Sequence, residues 1–134
     1  METEAGGGQL LELLLTGVPD KAIAAKLGVS ERTVQRRVGR LMADAGAGNR
    51  MQLGRHAARL EHLRQDAEIP ADRPNERDLC LLTLLFEGIP EPSAAELLQI
   101  SPRTVQRRVQ CLMQSVGATN WAQLGWHATR CEWI

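Results

Sequence analysis

The apolar residues of this chain fall at helical spacing, and the same pattern occurs twice. Val34, Val38, Leu41 and Met42 stand at i, i+4, i+7 and i+8, a stripe along one side of a helix. Ser30 ahead of the stripe is an N-cap residue and Gly46 behind it a stop signal, so a helix is predicted between them. Upstream, Leu10 to Thr16 reads as a first helix closed by Gly17; the glycine run Gly6 to Gly8 sets its start near Gln9. A second helix starts near Pro19, a residue suited to the first helical turn, and carries Ala22, Ile23 and Leu27. Gly28-Val29-Ser30 then forms a three-residue turn into the third helix. Asn49 and Gln52, spaced as a capping box, start a fourth.

This succession returns at an offset of 71 residues. Ser30-Glu-Arg-Thr-Val-Gln-Arg-Arg-Val38 becomes Ser101-Pro-Arg-Thr-Val-Gln-Arg-Arg-Val109, and Gln52-Leu-Gly54 becomes Gln123-Leu-Gly125. Gly17 pairs with Gly88, Pro19 with Pro90, Gly46-Ala47 with Gly117-Ala118, and Asn49 with Asn120. The expected organisation is therefore all-α, two tandem four-helix helix-turn-helix modules at 9–64 and 75–134, joined by a linker at 65–74. Pro70 and Pro74 disqualify that linker as helix interior. The second copy opens on Asn75-Glu-Arg-Asp, an Asx cap with an acidic first turn. A thin core in each copy makes mutual packing or dimerisation advantageous.

Composition agrees with helix, since the chain has no tyrosine and only one phenylalanine, Phe86. The formal net charge of zero conceals a split: Leu11 to Gln65 holds ten Lys/Arg against five Asp/Glu, while Asn75 to Ile134 holds five against six. Phosphate attraction follows local patches, so the whole-chain balance does not exclude a nucleic-acid partner. Cys80, Cys111 and Cys131 are odd in number and lack CxxC spacing, which points to reduced thiols rather than a disulfide framework or a zinc site. With an acidic, polar N-terminus and no apolar run of bilayer length, a cytoplasmic protein with no membrane partner is expected. No phosphate loop, nucleophile motif or paired carboxylate is evident, so neither enzyme activity nor a cofactor is expected.

With the valine stripe turned inward, a rotation of about 100° per residue puts Arg36 on the outer face of the third helix, flanked by Arg32 and Arg40, with Gln35 and Arg37 on the shoulders. In the second copy the same face holds Arg103, Arg107, Gln110 and Cys111, with Gln106 and Arg108 on the shoulders. An arginine fork matches guanine O6/N7 and a glutamine amide matches adenine N6/N7. Arginine-rich helix faces are commonly only solvated; recurrence of this one on the second helix of two helix-turn-helix units favours base reading.

Ser-x-Arg-Thr-Val-x-x-x-Val, followed by Leu-Met, Gly-Ala, Asn and a helix with Gln-Leu-Gly, resembles the DNA-binding domain of LuxR-type (NarL/FixJ) regulators over Leu10 to Leu63 and again over Arg77 to Ile134. The resemblance implies a third helix in the major groove of double-stranded DNA and a fourth helix that often forms the dimer contact. Carried over by position, it implies base contacts from Gln35, Arg36 and Gly39, and from Gln106, Arg107 and Gln110. Phosphate contacts would come from Thr33 and Arg37, and from Thr104 and Arg108.

Trp121, Trp126 and Trp133 occur only in the second copy, more aromatic surface than a small module is expected to bury, which makes its fourth helix a candidate self-association surface of a homodimer. His56 and His127 recur at one position without ligands at metal spacing, so packing or polar roles are expected. Two functions remain: a sequence-specific DNA-binding transcriptional regulator, or a protein-interaction module docking on RNA polymerase or another regulator, as resembling pieces occur in sigma factors. The basic first copy favours the former; the near-neutral second copy suits the latter.

Overall fold

The computed structural model describes residues 2–61 and 73–133, so most of the expected linker at 65–74 lies outside the described residues. Among the described residues the chain is helical throughout, with no strand. The helices are α1 (Glu2–Leu15), α2 (Asp20–Leu27), α3 (Glu31–Ala45), α4 (Arg50–Glu61), α5 (Glu76–Phe86), α6 (Glu91–Leu98), α7 (Pro102–Val116) and α8 (Trp121–Arg130). The bounds of α2 and α6, and of α3 and α7, differ by the sequence offset at both ends.

Most boundaries follow from local chemistry. Ser30 accepts a hydrogen bond from the Thr33 N–H at 3.1 Å and Ser101 from that of Thr104 at 3.1 Å, capping α3 and α7. Asn75 caps α5 by accepting from Asp78 N–H at 2.8 Å. Gly46 and Gly117 close α3 and α7 in the left-handed region, at φ 68° and 72°. Gln99 stands where the first repeat has Gly28 and adopts the same left-handed turn, φ 57° against 69°, at the steric cost that a Cβ brings there.

Two boundaries differ from expectation. α1 begins at Glu2, not near Gln9, and runs through Gly6 to Gly8. Glycine weakens a helix by about 1 kcal/mol per residue but does not forbid one, and elongation adds a hydrogen bond for each residue fixed. Pro19 is the N-cap of α2, extended at φ −67°, ψ 155°, rather than its first helical residue.

Leu10, Leu14, Ile23, Val34 and Val38 form the core of the first repeat; Leu81, Leu82, Leu85, Val105, Val109 and Leu112 form that of the second. Each core also takes a residue from the other repeat. Met51 of α4, fully buried, belongs to the second cluster, and Ala122 of α8 to the first. The two clusters are joined through α4 and α8, the most extensively packed pair of helices.

That crossing explains the repeated Gln-Leu-Gly. A Cβ on Gly54 would overlap the backbone carbonyl of Ala122, and one on Gly125 would overlap that of Met51. The helices therefore meet backbone to backbone, which only glycine permits. Asn49 and Asn120 act on both sides of the junction. Their side-chain oxygens accept from the N–H of Gln52 and Gln123, at 2.8 and 2.7 Å, capping α4 and α8. Their amide nitrogens donate across to the carbonyls of Leu85 and Leu14, at 2.8 and 2.9 Å. Leu14 and Leu85 are themselves equivalent positions, so the contacts are reciprocal, as across a two-fold axis.

Candidate nucleic-acid interface

The outer face of α3 is built by the burial of its inner one. Val34 and Val38 have essentially no exposure, which fixes the rotation of the helix and turns Arg32, Gln35, Arg36, Arg37 and Arg40 to solvent. On α7, Val105 and Val109 do the same for Arg103, Gln106, Arg107 and Gln110, while Arg108 is half-buried. Among the described residues none of the arginines on these two faces lies in an ion pair. Their donors are thus not committed to carboxylates of the chain.

Thr33 and Thr104 are half-buried at the start of these helices. Ser30 Oγ donates to Thr33 Oγ1 at 3.0 Å, and Arg36 Nη2 approaches the same oxygen at 3.5 Å. In the second repeat the hydroxyls of Ser101 and Thr104 are 2.9 Å apart. In the first repeat the threonine oxygen accepts from its serine, which leaves its own O–H available to an outside acceptor at a helix N-terminus, where an anion is favoured.

The structure brings together every residue expected on each recognition face, and adds one that the sequence reading missed. A depression between the start of α5 and α7 is lined by Asn75, Arg77 and Asp78 together with Thr104, Arg107, Arg108 and Cys111. Arg77 lies far from α7 in sequence. Its signal was its place two residues after the Asn75 cap, on a helix whose first turn packs beside α7. The equivalents of Arg77 and Asp78 in the first repeat are Gly6 and Gly7, so only the second repeat has this guanidinium, and it comes with an adjacent carboxylate.

Two arginines of the first repeat serve packing. Arg50 at the start of α4 makes a bidentate pair with Asp20 at the start of α2, at 2.8 and 2.7 Å. Those hydrogen bonds hold the Asp20 carboxyl below the usual carboxylate range and raise the Arg50 guanidinium above its ordinary value. Arg55 lies over the Phe86 ring at 5.0 Å, a contact between repeats. Burial, then the neighbouring Arg59, lowers its proton affinity.

The tryptophans of α8 find an outlet other than the one expected. Trp133 is in the second core, 4% exposed, and Trp121 packs against that core. Trp126 is half-buried, with Arg130 stacked on its ring at 4.3 Å and His127 edge-on at 5.1 Å. Burial, and then Arg130, lowers the His127 pKa. The Trp126 ring is thus covered from its own helix, by Arg130 and His127. α8 packs along α4 and so joins the two repeats.

Comparison with known proteins finds a likeness in the first repeat. Residues 8–57 match the family of bacterial regulatory proteins, luxR family. The bialaphos biosynthetic pathway regulatory protein of Streptomyces hygroscopicus is 45% identical over 49 residues, which is 37% of this chain and 19% of that protein. The chain thus matches about a fifth of that relative's length. No solved structure matches. No helix among the described residues is long and apolar enough to cross a membrane.

Proposed function

We propose that the chain is a sequence-specific DNA-binding transcriptional regulator in which α3 and α7 are both recognition helices, each placed in a major groove. The observation that carries this reading is the pair of equivalent arginine- and glutamine-bearing faces, exposed and without ion pairs among the described residues. On each face, Gln35, Arg36, Gln106, Arg107 and Gln110 have the donors and acceptors to read base edges. Arg32, Thr33, Arg37, Arg40, Arg103, Thr104 and Arg108 supply backbone contacts that position the helix. The helix-turn-helix docking mode sets the first helix of each pair, α2 or α6, across the phosphates.

The test is unbiased selection of duplex DNA by the purified protein, followed by titration at several salt concentrations. The expected result is an enriched sequence whose affinity falls with salt, by a slope of roughly −0.9 for each phosphate neutralised. Recovery of no sequence, with a flat salt response, would favour the second reading, a module docking on RNA polymerase or another regulator. The near-neutral balance of the second repeat is the observation on that side.

A further inference from the structure

We infer that one copy of this chain occupies a bipartite DNA site whose two halves differ, because the repeats form a reciprocal pair whose recognition faces are unequal. The inference rests on the DNA-binding reading above. Its first support is the junction. Asn49 reaches Leu85 as Asn120 reaches Leu14, and Gly54 rides on Ala122 as Gly125 rides on Met51. Contacts repeated with the partners exchanged define an approximate two-fold relation, the arrangement by which regulators present two recognition helices to half-sites one helical turn apart. Here both helices belong to one molecule, and the α4–α8 surface that would join two molecules is already covered.

The second support is the chemistry of the two faces. From Arg32 to Val38 the third helix is identical in both repeats, and the next two outward positions diverge: Gly39 and Arg40 against Gln110 and Cys111. All four are exposed. Gln110 offers a donor and an acceptor that suit adenine N6/N7, whereas Gly39 offers nothing to a base. Arg40 adds a cation to the first face; Cys111 replaces it with a small, weakly polar group, and Arg77 and Asp78 border that face from another helix with opposite charges. The half-site under α7 therefore carries an adenine requirement that the half-site under α3 lacks.

The structure also supplies a clean exchange. A Cβ on Gly39 meets nothing within 4 Å and needs no left-handed backbone, so Gly39→Gln fits without rearrangement. The experiment is unbiased duplex selection with the wild type, Gly39→Gln and Gln110→Gly, with circular dichroism confirming each fold and sedimentation giving the stoichiometry of each complex. Expected are one chain per duplex and two unlike half-sites with centres about 10–10.5 base pairs apart. Gln110→Gly should erase one adenine preference, a loss of discrimination of about 5- to 150-fold, and Gly39→Gln should create its counterpart in the other half. A palindromic site, or two chains per duplex, overturns this inference while leaving DNA binding intact. Failure of every variant to enrich any duplex overturns the DNA-binding reading, and this inference with it.

Discussion

Adding one methyl group to the α4–α8 crossing tests whether the two repeats are a single folded unit. Elsewhere on a helix, Gly→Ala stabilises by up to about 1 kcal/mol, because alanine gives up less conformational freedom on folding. At Gly54 the sign should reverse. The atoms in the way are the Ala122 carbonyl and the Trp126 backbone nitrogen, which cannot swing aside as a side-chain tip can. The helices must separate, and a gap of only 0.5–1 Å already forfeits a quarter to a half of the dispersion attraction across it. The surfaces parted include Met51 and Leu124, both fully buried, and the asparagine bonds to Leu14 and Leu85 lengthen with them. Overpacking of this kind costs about 1–3 kcal/mol, and the helix gain of up to about 1 kcal/mol offsets part of it, so Gly54→Ala should be destabilised by up to about 2 kcal/mol. Gly39→Ala, with open space around its Cβ, is the control and should stabilise by about 0.5–1 kcal/mol. Urea unfolding followed by circular dichroism resolves both, since a slope of about 1–3 kcal/mol per molar turns 2 kcal/mol into a midpoint shift of at least about 0.7 M. A Gly54→Ala midpoint equal to or above the wild type would refute the close crossing.

Gln99→Gly should stabilise by about 1 kcal/mol, as it removes a Cβ from a left-handed turn at φ 57°; thermal unfolding reads it as a raised Tm. Arg50→Met leaves Asp20 unpaired and should cost about 1–3 kcal/mol, the range for a partly buried, hydrogen-bonded charge. Because Arg50 depresses the Asp20 pKa, its stabilisation is complete above the unfolded carboxylate value of about 3.9 and is lost as pH falls through the lower folded value; acid titration of wild type against Arg50→Met checks the sign. His127 also has a depressed folded pKa, so stability should fall as pH drops below about 6.5, and His127→Gln should flatten that limb of the stability curve.

The helix pattern was legible because each signal was local. Ser30, Ser101, Asn49, Asn75 and Asn120 cap helices as their spacing predicts, and the valine stripes face inward. The exposed arginine and glutamine faces of α3 and α7 followed from that rotation. What escaped the sequence was long-range. Nothing near Arg50 and Arg55 reveals that one pairs with Asp20 and the other covers Phe86, so counting them among phosphate-seeking charges overstates the excess of the first repeat. Gln52-Leu-Gly54 and Gln123-Leu-Gly125 were visible as a repeat, but their purpose needs both copies in contact. The tryptophans of the second repeat were legible as surplus apolar surface, and the burial of Trp133 in the second core was not.

The positions where the repeats diverge follow from placing both halves in one chain. Two copies of one sequence meeting on a two-fold axis must change together, since every substitution appears on both sides. Covalent linkage removes that constraint and makes assembly of the two halves independent of protein concentration. The junction shows the freedom this gives: Met51 fills the core of the opposite repeat while its equivalent, Ala122, takes the smaller place on the other side. Arg55 and Trp126, likewise equivalent, lie respectively on Phe86 and beneath Arg130. The two cores are therefore filled differently by equivalent positions, which two identical halves cannot do. The same freedom on the outer faces permits Gly39 beside Arg40 in one repeat and Gln110 beside Cys111 in the other. The asymmetry of the junction and the asymmetry of the recognition faces therefore have one physical origin, two halves held together by the chain and released from having to match.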